Sequence, residues 1–363
     1  MGSAADDVLT AVTAFLDHRY GDGIRLALLE GNDDGASLRQ AAAADGWFDL
    51  AVPEKHGGVG LALNDLVPAF RLFGERLAVG PFVEQMVLPA LLLSELNLDE
   101  ATRLRIQALR SGTHLLAWAD PGISLDWCAG TVSTRNGRLN GEIRLVRYAP
   151  HCSELLVVAD SPAGAQLCLV AAAASGLSIE SIESADPGVP LAIVRFVDVP
   201  ASSAVMADGM DAMRVIALMR AWSRIMFAAE LTGMARRALT LTLDHIVTRE
   251  QFGAPIATFQ AVRQIAATAA QRVILLENFS EAVAEDASTQ SADLLSLSAM
   301  AFKAAAGELA RGVGEDAIQL HGGIGFTYEY ELQWYYKRIL ALRTWYGDEI
   351  ELMAEIGRLR LAA

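Results

Sequence analysis

The hydrophobic rhythm of this 363-residue chain changes period near residue 114 and changes back near 211. That switch constrains the fold more than any single motif. A helix buries a stripe at every third or fourth residue, whereas a strand buries alternate ones. Up to about residue 112 apolar residues fall at helical spacing, clearest in Val8 to His18, Ala36 to Ala44, Asn64 to Leu77 and Phe82 to Leu96. A break from Trp47 to Leu61, with Pro53 and the cluster Gly57, Gly58 and Gly60, interrupts them. From His114 onward come short apolar runs over 114–119, 130–134, 138–143, 154–159 and 166–170, bounded by turn-prone residues such as Asn136-Gly137. They predict a small antiparallel β domain ending near Ala207. Asp211 to Val247 then reads as one long helix with Gly233 as its weak point. Helices over 259–286, 291–320 and 329–342 follow, and a short one over 349–359 closes the chain. The expected fold is α+β: an N-terminal helical domain over 1–112, a middle antiparallel β domain over 113–208, and a C-terminal four-helix bundle over 209–363.

Composition narrows the function. The chain is 53% hydrophobic and 20% charged, enough for a sizeable core, and its net charge is −15. Nucleic acid is not the expected partner, since phosphate contacts need clustered lysine and arginine. Cys128, Cys152 and Cys168 show no CxxC spacing, so neither a zinc site nor a disulfide framework is expected, and no metal is assigned. Apolar stretches are interrupted by charges before they reach the length of a membrane span, so no membrane association is expected. Met1 to Asp7 lacks the basic and apolar regions of a secretion signal, and a cytoplasmic location is expected.

Two motifs stand out in the last third. One runs from Thr248 through Arg249-Glu250-Gln251-Phe252-Gly253-Ala254-Pro255-Ile256 to Phe259-Gln260, and the other is Gln319-Leu320-His321-Gly322-Gly323-Ile324-Gly325-Phe326. Taken singly, Arg249 reads as a solvated arginine at a helix end and the glycines as a helix C-cap. No Gly-x-Gly-x-x-Gly lies between a strand and a helix, which excludes a Rossmann reading. Together the two motifs resemble the FAD-binding signature of the acyl-CoA dehydrogenase family. The helix–sheet–helix order, and the break at Pro53 to Leu61, extend the resemblance over nearly the whole chain.

The resemblance implies FAD as cofactor, an acyl-CoA thioester as substrate, α,β-dehydrogenation, and an electron-transfer flavoprotein as acceptor. In that family one subunit grips the adenosine and pyrophosphate of its neighbour's FAD. The pyrophosphate is a double anion, which a guanidinium matches with forked donors, and glycines let backbone N–H groups come close. On this chain Arg249 takes the pyrophosphate role, with Gln251 and Phe252 beside it, and Gln319, Gly322 and Gly323 take the adenosine end.

The flavin-ring side departs from the family pattern. Where the family has Thr-Glu-Pro-x-x-Gly-Ser-Asp, this chain has Ala119 to Asp126, with Ala119 and Leu125 replacing the two hydroxyl residues. Where the family has Asn-Gly-x-Lys-x-Trp-Ile-Thr, it has Asn140 to Arg147, with Leu145 at the tryptophan and Arg147 at the threonine position. The reaction also needs a carboxylate over the acyl chain. The family's two positions for it are occupied by Gly347 and Ser223. Asp348 and Glu349 are weak substitutes that read equally as a helix cap and a first-turn acid. Glu230, two helical turns beyond Ser223, has a weaker claim. Arg224 survives, but Ala221 stands where its acidic partner is usual. It is a weak substrate-binding candidate near the family's CoA cleft.

What is lost belongs to a chain's own ring and acyl pocket, and what is kept is lent to a neighbour. The expectation is an FAD-completing, non-catalytic subunit of a heterotetrameric acyl-CoA dehydrogenase, similar to actinobacterial enzymes of steroid and cholesterol catabolism. A paralogous subunit then supplies the catalytic carboxylate. Two alternatives remain open: a self-sufficient homo-oligomeric dehydrogenase using Asp348 or Glu349, and a scaffold that keeps the fold without flavin.

Overall fold

The computed structural model describes residues 4–123, 130–201 and 205–362. Helices α1 (Ala4–Arg19), α2 (Asp22–Leu29), α3 (Ala36–Ala44), α4 (Val67–Glu75), α5 (Leu88–Glu95) and α6 (Glu100–Ala108) come first. Strands β1 (Leu116–Ala119), β2 (Gly130–Arg135), β3 (Arg138–Arg147), β4 (Glu154–Ser161), β5 (Gly164–Ala171), β6 (Leu177–Ile182), β7 (Leu191–Pro200) and β8 (Val205–Asp208) follow. Helix α7 (Gly209–Thr248), a hairpin of β9 (Glu250–Gln251) and β10 (Ala254–Pro255), and helices α8 (Gln260–Asp286), α9 (Ala292–His321), α10 (Leu332–Leu342) and α11 (Glu349–Ala362) complete the chain. Among the described residues no helix is long and apolar enough to cross a membrane.

The chain forms two compact units that do not follow its order. A sheet unit holds 14–63 and 79–223, and a helical unit holds 1–13, 64–78 and 224–363. Helix α7 contributes to both, dividing after Ser223.

The sheet unit is built on eight described strands in the order β6-β7-β3-β2-β4-β5-β8, with β1 on β4. Its inward residues, among them Val132, Leu139, Ile143, Leu155, Val157, Val194 and Phe196, form one apolar core. Asn136 and Gly137 both take positive φ and close β2 onto β3, as a two-residue hairpin turn requires. Most pairings are antiparallel, but β1 and β2 each pair parallel with β4. The five short runs predict β1 to β5 but neither β6, β7 and β8 nor this register, because β1 and β4 are distant in sequence. A bulge between Ile143 and Val146, with Leu145 at φ 58°, bends β3 just before Arg147.

In the helical unit α7 and α4 meet backbone to backbone. A Cβ on Gly74 would lie 1.9 Å from the Glu230 carbonyl oxygen, and one on Gly233 would lie 1.8 Å from the Arg71 carbonyl oxygen. Gly233 is therefore a notch that lets α4 in, not a point where α7 weakens. Helix α10 begins at Leu332, not 329, because Ile324 to Tyr330 is spent on successive turns, with Thr327 N donating to Ile324 O and Tyr330 N to Thr327 O.

Candidate functional site

The structure brings the two C-terminal motifs together. Helix α7 ends at Thr248, and Arg249 N donates to His245 O one turn back. The chain then turns through β9 and β10, with Phe252 at φ 54° and Gly253 at φ 79°, the two positive-φ positions of a tight hairpin. A phenylalanine in this region is strained, yet the residue is 95% exposed, with its ring set T-shaped to that of Phe259 at a centroid distance of 6.1 Å. Ile246, Ala266 and Leu320, with Ile256 and Ile265 against them, form a small core that ties the hairpin base to the end of α9. Above it His245 stacks on His321, ring centroids 4.3 Å apart. His321 Nδ1 faces Ala317 O at 2.8 Å, which can only accept, so Nδ1 carries the proton and Nε2 accepts from the Tyr330 hydroxyl at 3.0 Å. Burial lowers the pKa of both imidazoles, and Arg249 lowers that of His245 further.

Around this core the cofactor candidates are open. Arg249 is exposed, and its guanidinium has no ion-pair partner among the described residues. Gln251 is exposed and its Nε2 donates to Glu250 O at 2.7 Å. Gln319 and Gly322 line a surface depression of about 290 Å³ with Phe326 and Tyr336. Gly322, at φ 63°, ends α9, and nothing lies within 4 Å of a Cβ built on Gly322 or Gly323. Open glycines, an exposed guanidinium and an uncovered aromatic ring fit the phosphate and adenosine end of a dinucleotide.

The ring-side positions are filled. Arg147, at the end of the bulged β3, is 4% exposed, and its Nε donates to Glu84 Oε1 at 3.0 Å. Glu84 is itself 4% exposed and sits in a turn of π-helix, Val83–Val87. The guanidinium of Arg147 also lies over the Tyr148 ring at 5.4 Å. Beside Ala119, buried Asp120 takes two bonds from Arg220, at 2.8 and 2.5 Å, and the guanidinium presses on Gly122. Leu125 lies outside the described residues. At the ring side that the resemblance implies, these groups do not fit an isoalloxazine ring: Arg147 is engaged at the threonine position, and Arg220 crowds the backbone at Gly122.

The turn before α11 is likewise closed. Gly347 has φ 102°, and a Cβ there would lie 2.7 Å from Leu352 Cδ2, so a larger residue is excluded by strain and by space. Asp348 Oδ1 accepts from Ile350 N and Glu351 N at 2.9 Å each, and Glu351 Oε2 accepts from Asp348 N at 3.0 Å. That reciprocal pattern is a capping box. Glu349 forms an ion pair with Arg343. Arg224 is buried, and its Nε donates to Tyr346 O at 2.9 Å. Ser223 is fully buried, and its hydroxyl has no hydrogen-bond partner among the described residues. Glu230 is buried 3.6 Å from Arg338.

Three residues at these places carry no motif. Glu84 is a lone acid in the apolar run Phe82 to Val87, and His245 is one turn before Arg249. Lys303 is the third, a lone cation in Ala301-Phe302-Lys303-Ala304. An isolated charge in an apolar run is the signal that marks Glu84 and Lys303. Lys303 is fully buried on α9, and its Nζ donates to Arg343 O at 2.6 Å and Gly347 O at 3.2 Å. Burial, then nearby Arg224, pull its pKa down to about 7, while Glu349 and Asp348 pull the other way. A cation whose folded pKa is depressed costs stability fully below that value, and the cost fades as pH rises toward the unfolded pKa. Unfolding free energy is therefore expected to rise between pH 7 and about 10. Lys303→Met should flatten that rise by a few kcal/mol, as read by urea titrations across the range. An unchanged slope in the variant would show that Lys303 is not the titrating group.

Comparison with known proteins agrees with this frame. The family description "Acyl-CoA dehydrogenase, C-terminal domain" matches residues 211–360. The chain is 30% identical over 334 residues to acyl-CoA dehydrogenase FadE34 of Mycobacterium tuberculosis, a match that takes in 90% of this chain and 42% of that protein. The chain thus spans less than half the length of that relative. A chain of the Tcur3481-Tcur3483 steroid ACAD superposes with a TM-score of 0.86 at 24% identity, covering 99% of this chain and 98% of that one. A chain of the ChsE4-ChsE5 complex from Mycobacterium tuberculosis superposes with a TM-score of 0.83 at 24% identity, covering 100% and 98%. Residues 211–360 thus match the C-terminal domain of acyl-CoA dehydrogenases, and the whole chain shares the fold of these structures.

Proposed function

We propose that this chain is the FAD-completing, non-catalytic subunit of a heteromeric acyl-CoA dehydrogenase. The observation that carries this reading is an asymmetry. The residues for a dinucleotide tail stand open, while a buried Arg147–Glu84 pair fills the chain's own ring-side position. Arg249, Gln251 and Phe252 would hold the pyrophosphate end of a partner's FAD, and Gln319, Gly322 and Gly323 the adenosine end. Bound FAD supplies the two-electron acceptor for dehydrogenation, and a paralogous subunit supplies the carboxylate. The engaged state of Asp348 and Glu349 supports placing that base elsewhere. Two structural neighbours are a steroid ACAD and a two-component complex. That supports a bulky, steroid-derived acyl-CoA as substrate and a heterotetramer as the assembly, with electrons passing to an electron-transfer flavoprotein.

Flavin absorbance tests the reading. The chain expressed alone is expected to hold little flavin, and co-purified with its paralogue it should give one FAD per pair of chains. Arg249→Ala should weaken FAD retention in that complex by about 1.5–3 kcal/mol, the loss of one charge-assisted contact, read by equilibrium dialysis. Stoichiometric flavin and thioester oxidation by the chain alone would overturn the proposal.

A further inference from the structure

The sheet unit contains a cavity of about 500 Å³, to which neither C-terminal motif contributes a residue. Its size falls within the ~300–1,000 Å³ usual for small-molecule sites. Its walls carry several aromatic side chains. Trp47 lies 4.4 Å from Phe15 and 6.3 Å from Phe82, ring centroid to centroid, and Tyr148 lines the cavity as well.

Polar chemistry in the cavity is sparse and directional. Asp33 and Asp34 at its edge accept from Gly35 N and Ala36 N, at 2.7 and 2.9 Å, and so are spent on the start of α3. Arg39, from α3, is pinned through Nε to Gly112 O at 2.8 Å and through Nη1 to Asp34 O at 3.4 Å. Its Nη2 has no hydrogen-bond partner among the described residues, so a held guanidinium keeps donors in reserve at a cavity whose remaining polar lining is Asn32, Tyr148, His151 and the two engaged aspartates.

We propose that this cavity binds a flat, fused-ring, largely hydrocarbon molecule whose carbonyl oxygen accepts a hydrogen bond from Arg39. Aromatic walls reward flat faces by stacking. A rigid ligand also avoids the ordering cost that a flexible chain incurs on entering. The Asp34 carboxylate acting on Arg39, with Asp33 also lining the cavity, disfavours a full anion, which selects a neutral carbonyl over a carboxylate. The site is independent of the cofactor reading: flavin content tests one, and ligand binding to the chain without flavin tests the other.

Isothermal titration of the full chain with androst-4-ene-3,17-dione is the direct test, with hexadecanoate as the flexible, anionic comparison. Saturable binding of the dione is expected, with Kd below about 100 μM, and hexadecanoate should bind at least tenfold more weakly. Ala42→Trp fills the cavity from α3 and should abolish binding. Leu38→Trp does the same from a half-buried position and serves if Ala42→Trp does not fold, as judged by circular dichroism. Arg39→Met keeps the cavity open and should weaken the dione about tenfold. Absence of saturable binding, full affinity in a folded filled variant, unchanged affinity in Arg39→Met, or equal affinity for hexadecanoate would each overturn the proposal.

Discussion

Replacing Glu84 by alanine is expected to lower the unfolding free energy by about 3–5 kcal/mol, because it leaves the Arg147 guanidinium buried without its carboxylate. Both side chains are almost wholly buried, and their 3.0 Å contact joins the π-helical turn at Val83–Val87 to the end of β3. Taking two charges out of water is costly, and their attraction offsets that cost only while both are present. The sharper expectation is therefore a contrast. The double variant Glu84→Leu/Arg147→Met removes both charges and keeps most of the volume, so it should be neutral or more stable than the parent. Urea unfolding followed by far-UV circular dichroism measures all three proteins. A single variant within about 0.5 kcal/mol of the parent would mean that the pair is not closed to water. The contrast bears on function because Arg147 stands at the position where the family resemblance places a ring-contacting hydroxyl. A fold that depends on this pair is committed to leaving that place filled.

How much of this was legible in the sequence depends on whether the signal is local. The period change predicts the helix–sheet–helix order, and Asn136-Gly137 predicts the β2–β3 turn, because periodicity and turn chemistry are written in consecutive residues. The two C-terminal motifs are legible for the same reason. Partners across the chain are not. Nothing near Arg147 names Glu84 as its partner, and nothing near β1 indicates a parallel seat on β4. The candidate residues illustrate the limit well. Arg249, Gln319 and Gly322 can be named from motifs, but their exposure is a property of what the rest of the chain leaves uncovered. Asp348 reads from sequence as cap or base alike. Only the reciprocal bonds with Glu351 show that its carboxylate is engaged. Gly233 was legible as a helix glycine, and the cost assigned to it was the ordinary entropic one. The carbonyl of Arg71 against it belongs to another helix and could not be inferred.

That carbonyl sets the other large expected effect. Gly233→Val should destabilise the chain by at least about 3 kcal/mol, the upper end of what overpacking costs, because the obstacle is backbone and has no rotamer with which to yield. Gly74→Ala, the reciprocal position, should fall in the same class, since its Cβ would meet the Glu230 carbonyl. Gly357→Ala is the control. It lies in α11 with nothing within 4 Å of the added carbon, so removing a helix-interior glycine there should stabilise by about 0.5–1 kcal/mol. Should Gly233→Val prove insoluble, the milder Gly233→Ala is expected to fold with a clearly lowered thermal midpoint, and a midpoint equal to the parent's would show that α4 and α7 do not touch there. The notch also reaches the candidate site through α7 itself. Within the helical unit the same helix carries Arg224, which holds the turn at Tyr346, and His245, whose carbonyl anchors Arg249. A helix pushed off α4 at Gly233 strains both ends at once. In the co-purified complex, Gly233→Ala is therefore expected to weaken FAD retention beyond the loss explained by its unfolded fraction, whereas Gly357→Ala should leave retention unchanged. Equal retention per folded chain in the two variants would confine the notch to a packing role.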